Sequence, residues 1–405
     1  MNYQSHILPK GLRIIHKPDN MPVTYCGVTI DVGSRDEAED EAGITHFIEH
    51  MLFKGTKKRR STHIINRLEN VGGELNAYTT KEETVVYAAV LSEHTERAIE
   101  LIADITLNST FPQKDIEKEF AVISDEIQSY NDSPSELIFD DFEDMLFQHH
   151  PIGHNILGFT ETLKNFDSSK LNAYHKKFYF PGNMTFFSIG NIKFEKLIRW
   201  VEKYFISENS GQKVLRDAPG ISVSARNEIN KNTSQFHFML GRSVYNLYHP
   251  DRIGLFLLNN ILGGVGMNSR LNLSLREKHG LVYNVESVFQ PMTDTGVWAV
   301  YFGSDSENAT KCEKLILSEL TRLKQEKIQE NNLKKYKLQL LGQMAINSEN
   351  KENLAQSMGK SFLRYGKVDS IETIREKIEL ITADHLQKIA NDIFNVNDFT
   401  VIKYK

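Results

Sequence analysis

The chain has 405 residues, of which 40% are hydrophobic and 25% are charged, with 10 Pro and 24 Gly. These values are typical of a folded protein of two or three domains, and they exclude a disordered or collagen-like chain. Two cysteines, Cys26 and Cys312, are too few for a disulfide framework or a thiolate metal site. The net charge of −5 argues against bulk binding to nucleic acid, which favours a basic surface.

The N-terminus and the hydropathy predict no membrane association. Residues 1–6 lack the basic start and apolar core of a signal peptide, and also the Arg-rich bias of a transit peptide. No stretch approaches the roughly 18 apolar residues that span a bilayer. We therefore expect a cytoplasmic location, unless a leader precedes the sequence and has been removed.

Strands and helices alternate in the first half of the chain. Alternating or β-branched residues predict strands, and apolar residues at helical spacing predict helices. The predicted strands are residues 23–32, 85–91 and 185–189, and the predicted helices are 43–54, 93–107 and 114–130. A stretch with the composition of a linker follows, from 207 to 220.

After this linker the same order of elements begins again. Strands are predicted at 236–240 and 297–302, and helices at 252–262, around Leu315 to Leu323, and at 332–345. The order strand, helix, helix recurs at an offset of roughly 210 residues or a little more from the first half. We therefore predict two related domains, residues 1–210 and 211–405.

The pattern His46-Phe47-Ile48-Glu49-His50 is the most specific sign of chemistry. Residues i and i+4 share one face of a helix, so His46 and His50 can direct their imidazoles at one metal ion. Glu49 lies beside that ion, where a carboxylate can deprotonate a bound water. The order is H-x-x-E-H, the reverse of the commoner H-E-x-x-H. For the motif alone, the alternative is two surface histidines with an ion-paired glutamate.

A catalytic zinc site needs a third protein ligand and an open fourth position. The candidate is Glu126 on the predicted helix 114–130. Glu119 lies two turns earlier on the same face, where it can orient a zinc-bound histidine. For Glu126 taken alone, a solvated helix face is the simpler interpretation.

The segment from His46 to Thr56, followed by these glutamates, resembles the pitrilysin-type zinc peptidases, the inverzincins. Residues 72–79 are similar to the strand at the edge of that family's active-site sheet, and residues 267–271 and 275–283 resemble its Arg/Tyr segment. Shorter stretches at 150–153, 156–158 and 179–184 match in order. The resemblance covers nearly the whole chain and is to the half-length members, such as the subunits of the mitochondrial processing peptidase.

The resemblance implies an α+β fold of two homologous domains, each a mainly antiparallel sheet with helices packed on it. Residues 1–210 would form the zinc-bearing catalytic domain, and residues 211–405 a non-catalytic domain that carries the Arg/Tyr segment. One Zn²⁺ per chain is implied. Its implied residues are His46, His50 and Glu126 as ligands, Glu49 as general base, Glu119 as supporting carboxylate, and Arg276 and Tyr283 as contacts to the substrate and its developing oxyanion.

The predicted function is hydrolysis of peptide bonds in unfolded peptides, through a zinc-activated water. Asn76, Ala77 and Tyr78 are predicted to pair with the peptide as an added edge strand. Tyr78 and Phe53 are candidates for an apolar pocket beside the cut bond, although both are equally typical of core aromatics. The alternative function is a non-catalytic structural or partner subunit of a related complex.

The second domain and a histidine cluster complete the expectations about metal. Residues 258–262 and Gln343 stand where the zinc ligands would be, so we expect no metal in the second domain. His149, His150 and His154 form a dense cluster, which in the family's pattern is a turn and not a ligand set.

The length implies a dimer, because many family members carry four such domains in one chain around a chamber. A homodimer is favoured over a heterodimer with a related subunit, since the zinc motif and the Arg/Tyr segment are both present. Arg276 and Tyr283 would then act on the site of the partner chain.

Overall fold

The computed structural model describes residues 3–148, 150–209, 211, 215–220, 222 and 224–405. The strands are β1 Gln4–Ile7, β2 Arg13–Pro18, β3 Val23–Ile30, β4 Glu74–Thr79, β5 Thr84–Leu91, β6 Met184–Gly190, β7 Arg226–Ile229, β8 Phe236–Ser243, β9 Val282–Pro291, β10 Gly296–Ser304 and β11 Thr400–Tyr404. The helices are α1 Ile44–Met51, α2 Ser61–Glu69, α3 Thr95–Asn108, α4 Gln113–Asn131, α5 Pro134–Leu146, α6 Thr160–Leu163, α7 Ser168–Phe178, α8 Phe194–Tyr204, α9 Arg252–Gly263, α10 Ala309–Gln325, α11 Glu330–Asn347, α12 Lys351–Tyr365, α13 Ile371–Glu379 and α14 Ala383–Ile393. The elements predicted from pattern are present, with ends shifted by a few residues. None of the helices in the described part of the chain is long and apolar enough to cross a membrane.

The first of two units contains the chain up to Gln128, His154–Arg216 and Ile346–Asp369. Its sheet has the strand order β1-β2-β6-β3-β5-β4, and β2 and β6 are its parallel pair. Apolar residues of α1, α3, α4, α7 and α8 share one core with the sheet. A smaller cluster joins α12, through Met358 and Phe362, to Val85 and Phe187 of the sheet.

The second unit repeats this design with a sheet of order β7-β11-β8-β10-β9. Strands β7 and β11 are parallel, as β2 and β6 are, and the following strands are antiparallel in both sheets. Helices α9, α10 and α14 share one core with this sheet, and α5 packs in a separate cluster with β8, β10 and β11. The prediction of two homologous α+β domains with mainly antiparallel sheets is confirmed.

The units differ from the predicted contiguous domains in two long segments, and the boundary near the linker follows Arg216 instead of residue 210. Residues 129–153, which include α5, belong to the second unit, and residues 346–369, which include α12, belong to the first. Both sheets carry apolar side chains on two faces, so each needs a second cover. In each unit that cover is a helix from the other half of the sequence.

Charge as well as apolar contact holds α12 in the first unit. The side chain of Arg364 is only 4% exposed and lies 2.6 Å from the carboxylate of Asp31 and 3.0 Å from that of Glu83. Arg216 also contacts Asp31, at 3.0 Å, and Lys360 contacts Glu83. The cluster places two carboxylates among three cations in a largely buried setting.

Replacing Arg364 with Met should destabilise the first unit, because Asp31 and Glu83 each lose a buried partner. Removing one partner of a buried ion pair costs about 3–5 kcal/mol. We expect the lower end of that range, since Arg216 and Lys360 remain. Urea unfolding followed by the fluorescence of Trp200, in a Trp298→Phe background, reports this unit.

The matched control is Lys203→Met, which removes a more exposed ion pair with Glu96 in the same unit. Such exposed pairs contribute little to the free energy of unfolding. An equal loss of unfolding free energy in both variants would contradict the assigned role of Arg364.

Candidate metal centre and active site

Helix α1 directs the apolar residues of the H-x-x-E-H segment into the core and its two histidines away from it. Ile44, Phe47, Ile48 and Met51 are fully buried in the core of the first unit. His46 and His50 lie one turn apart with ring centroids 4.6 Å from each other. The apolar side of the helix therefore anchors it and leaves both imidazoles on the other side.

The start of α1 is fixed by a buried carboxylate. Gly43 precedes the helix with φ +92°, a left-handed conformation that favours glycine. Glu37 accepts hydrogen bonds from the backbone N–H groups of Gly43 at 2.8 Å and Thr45 at 2.9 Å. Burial raises the pKa of Glu37 to about 8, so these two hydrogen bonds, and not a full charge beside the helix dipole, hold the start of α1. Sequence analysis misses Glu37 because it lies six residues before Gly43, outside the positions where a capping residue is expected.

Glu126 on α4 brings a third ligand group to the two histidines. Its carboxylate oxygens lie 3.9 Å from Nε2 of His46 and 3.6 Å from Nε2 of His50. One ligand atom from each of the three residues lies within 4.8 Å of the others. Tetrahedral zinc holds such atoms at about 2.0–2.1 Å, which separates them by roughly 3.4 Å. The set fits a zinc ion after small side-chain movements.

The protonation of His46 suits a metal ligand. This residue is 8% exposed, and burial, together with the neighbouring His50, lowers its pKa to about 3. The imidazole is therefore neutral near pH 7, which is the form that binds metal. Glu126, by contrast, is 45% exposed in its side chain, so this carboxylate faces the open side of the site.

Glu119 contacts His50 on the ring nitrogen that faces away from Glu126. Its carboxylate lies 3.0 Å from Nδ1 of His50 and, through its other oxygen, 2.6 Å from Nζ of Lys54. Burial raises the pKa of Glu119, but hydrogen bonds from His50 and Lys54 outweigh it, and the net pKa is lowered. A carboxylate on Nδ1 leaves Nε2 directed at the metal position, as in many zinc sites.

Lys54 is absent from the sequence-based site. It lies four residues after His50, in the turn that follows α1, so no helical pattern identifies it.

Glu49 points into the same site and is held by a threonine. Its Oε2 accepts a hydrogen bond of 2.6 Å from the hydroxyl of Thr79, the last residue of β4. Burial raises the pKa of Glu49, and this effect exceeds the opposing influence of Thr79 and His50. Sequence analysis also misses Thr79, although alternation along a strand places it on the same face as Ala77.

The predicted substrate-binding residues lie partly as expected. Strand β4 is the last in the order of the first sheet, so Asn76, Ala77 and Tyr78 are on an edge. Ala77 packs against the core that contains α1, whereas Tyr78 packs in the α12 cluster, with its ring 6.2 Å from that of Tyr87. Phe53 packs in the α1 core. The two aromatics thus belong to clusters on different faces of the sheet, which differs from a shared pocket and favours their interpretation as core residues.

Arg276 and Tyr283 belong to the second unit. Arg276 is exposed on the helical turn Asn272–Glu277, and Tyr283 is exposed near the start of β9. The hydroxyl of Tyr283 donates a hydrogen bond of 3.0 Å to Asp305, which raises the pKa of the phenol. In this structure the single phenol proton of Tyr283 is donated to Asp305, so Tyr283 must exchange this bond before it can donate to a substrate.

The described residues contain no second group of ligands comparable to that of the first unit. Helix α9 takes the place of α1 in the repeated order, and its Asn259 makes structural hydrogen bonds instead. The amide accepts from the indole of Trp298 at 3.1 Å and donates to the carbonyl of Ser287 at 2.9 Å. Gln343 lies on α11.

The histidine cluster agrees with a turn, where it can be described. The backbone N–H of Ile152 donates to Nδ1 of His150 at 3.1 Å. The ring of His154 lies 6.2 Å from that of Phe159. His149 lies outside the described residues.

Two protein-family models match successive parts of the chain. A family model described as "Insulinase (Peptidase family M16)" matches residues 13–160, which contain the three ligand groups, Glu49 and Glu119. A model described as "Peptidase M16 inactive domain" matches residues 165–340. The model described as inactive thus covers the part of the sequence in which no ligand group is found among the described residues.

Relatives extend the likeness to the whole chain. An uncharacterized zinc protease of Rickettsia felis is 33% identical over 397 residues, covering 97% of this chain and 95% of its own. The uncharacterized zinc protease YmxG of Bacillus subtilis is 32% identical over 387 residues, covering 95% of this chain and 94% of its own.

Solved structures share the fold. A peptidase M16 inactive domain from Pseudomonas fluorescens superposes with a TM-score of 0.93 at 20% identity, over 100% of this chain and 98% of its own. A protease from Helicobacter pylori gives 0.92 at 22% identity, over 100% and 99%. With family matches in both halves and full-length relatives named zinc proteases, this chain belongs to the pitrilysin-type peptidase family M16.

Proposed function

We propose that this chain is a zinc-dependent endopeptidase that hydrolyses unfolded peptides with Glu49 as general base. The observation that carries the proposal is the convergence of His46, His50 and Glu126 within 4.8 Å, on the helix pair that also carries Glu49. A non-catalytic subunit has no need for such a set. The full ligand set therefore supports the enzyme over the structural alternative.

The three ligand residues would hold one zinc ion per chain. His46 and His50 would bind through Nε2, and Glu126 through its carboxylate, which leaves the fourth position that catalytic zinc sites keep open. When bound, zinc polarises the scissile carbonyl and lowers the pKa of water toward neutrality.

Glu49 would move the proton. Its carboxylate accepts a proton from the attacking water and delivers it to the leaving amine. The bond from Thr79 engages Oε2, and we assign Oε1 to the water. The pKa of Glu49 is raised by burial, which makes this carboxylate a stronger base than an exposed glutamate.

The substrate would lie along β4 as an added strand. Main-chain hydrogen bonds to an edge strand require an extended peptide but little sequence, which favours unfolded substrates. Asn76 is exposed on this strand. We assign Arg276 and Tyr283 to the substrate and to the developing oxyanion, because a cation and a phenol are suitable donors for that charge.

Zinc content tests the ligand assignment. Purified wild-type protein should hold one zinc per chain, and His50→Ala or Glu126→Ala should lose it because each removes a ligand. Elemental analysis after dialysis against a weak chelator measures this. His63→Ala, at an exposed histidine of α2, is the control and should retain zinc. A wild-type chain that binds no zinc after reconstitution would defeat the proposal.

Replacing Glu49 with Gln separates the base from the metal. The variant should retain zinc, since the ligands remain, and should lose about 10²–10⁴-fold in turnover of a quenched unfolded peptide. Glu93→Gln, an exposed change in the same unit, should behave as wild type. Loss of zinc from Glu49→Gln would show that its role is misassigned.

Mixing two inactive chains tests the proposed homodimer and action in trans. Glu49→Gln and Arg276→Ala chains should each be inactive alone, whereas every mixed dimer should contain one complete site. Co-refolding the two chains and measuring peptide cleavage reveals that site. No recovery of activity in verified mixed dimers would exclude action in trans.

A further inference from the structure

The turn between β4 and β5 buries charge where a hairpin normally exposes it. Lys81, Glu82 and Glu83 follow each other in this turn and are 5%, 6% and 1% exposed. Such residues are almost never buried unless they are paired. The turn is therefore held by specific contacts, and it begins directly after Thr79.

Cations from three parts of the chain hold the turn. Arg35 lies 2.5 Å from the carboxylate of Glu82, and Arg364 lies 3.0 Å from that of Glu83. Arg216 and Arg364 each donate a hydrogen bond of 2.9 Å to the carbonyl of Glu82. Side chains thus bind both the carboxylates and the backbone of the turn.

The backbone of the turn is also docked against the segment after β3. Ser34 N–H donates to the carbonyl of Thr80 at 3.1 Å, and Arg35 N–H donates to that of Lys81 at 3.0 Å. At Gly33 an added Cβ would come within 2.4 Å of the turn backbone, so only glycine permits this approach. The turn has one defined position relative to the sheet.

This defined position extends to the site through Thr79. Its partner across the strand pair is Thr84, on the other side of the turn. Alternation along β4 directs Leu75, Ala77 and Thr79 to the face that carries α1. The hydroxyl of Thr79 therefore reaches Oε2 of Glu49 from a backbone that is fixed on both sides.

We propose that Thr79 is a positioning residue for Glu49, which holds its carboxylate in the orientation needed for proton transfer. The inference rests on the proposed role of Glu49 as base. Glutamate has several rotatable bonds, and its orientation is otherwise free to vary. A hydrogen bond from a rigid strand end removes that freedom before substrate arrives, and such preorganisation is a large part of catalysis.

Thr79→Val and Thr79→Ser test the proposal as a pair. Valine keeps the shape and strand preference but cannot donate, so kcat should fall about 10–100-fold while KM and zinc content stay near wild type. Serine keeps the hydroxyl and should restore most of kcat. Steady-state kinetics on the quenched peptide and elemental analysis provide the readouts.

The matched control is Thr84→Val, which deletes the hydroxyl of the directly paired residue. Thr84 donates to the carbonyl of Val32 and not to Glu49, so this change should reduce stability without reducing kcat. A Thr79→Val enzyme with wild-type kcat, or a Thr79→Ser enzyme as slow as Thr79→Val, would overturn the proposal. An equal loss of kcat in Thr84→Val would do so too.

Crystal structures of the two Thr79 variants give a readout that needs no turnover. The carboxylate of Glu49 should leave its place in Thr79→Val and keep it in Thr79→Ser. An unmoved carboxylate in Thr79→Val would contradict the proposal even if the chain were no peptidase. If the wild-type protein does not cleave the peptide, but the Glu49 carboxylate is displaced in Thr79→Val, the result would count against the proposed function alone.

Discussion

The site depends on a helix that is too short to be stable in isolation. Helix α1 has eight residues, whereas isolated helices below about 12–15 residues are marginal in water. Contacts with other elements fix its position. Its apolar side packs in the core, and Glu37 accepts hydrogen bonds from the N–H groups at its start. On its polar side, α4 contributes Glu126 and β4 contributes Thr79. Because both histidines and the base lie on this helix, the ligand geometry follows from core packing.

The repeated sheet shows that this scaffold does not require a metal. Helix α9 stands at the same place in the order as α1, yet its polar residue Asn259 joins neighbouring elements through hydrogen bonds to Trp298 and Ser287. Each unit has its own apolar core. The candidate metal ligands of the first unit are thus an addition to a fold that each unit builds around its own apolar core, as is common where function lies in a few side chains.

Local spacing predicts the metal-binding helix because its residues lie within one turn of each other. Local spacing cannot predict contacts between residues that are far apart in the sequence. Helix α12 is not among the predicted elements, and an amphipathic pattern does not identify the sheet that a helix covers, so sequence analysis cannot predict the pairing of Arg364 with Asp31. For Phe53 and Tyr78, hydrophobicity predicts burial but not which cluster receives them. The position of Thr79 is predictable from the sequence, since alternation along the strand alone places its side chain toward α1.

The origin of α12 affects how the protein is made. This helix completes the first unit, but it leaves the ribosome after most of the second unit has been synthesised. Until then, Val85, Phe187 and Ile189 of the first sheet lack the apolar cover that Met358 and Phe362 provide. Exposed apolar sheet surface promotes aggregation in partly folded chains. The unit that contains the H-x-x-E-H helix is therefore the first to begin translation, but it is completed only after most of the second unit has been synthesised.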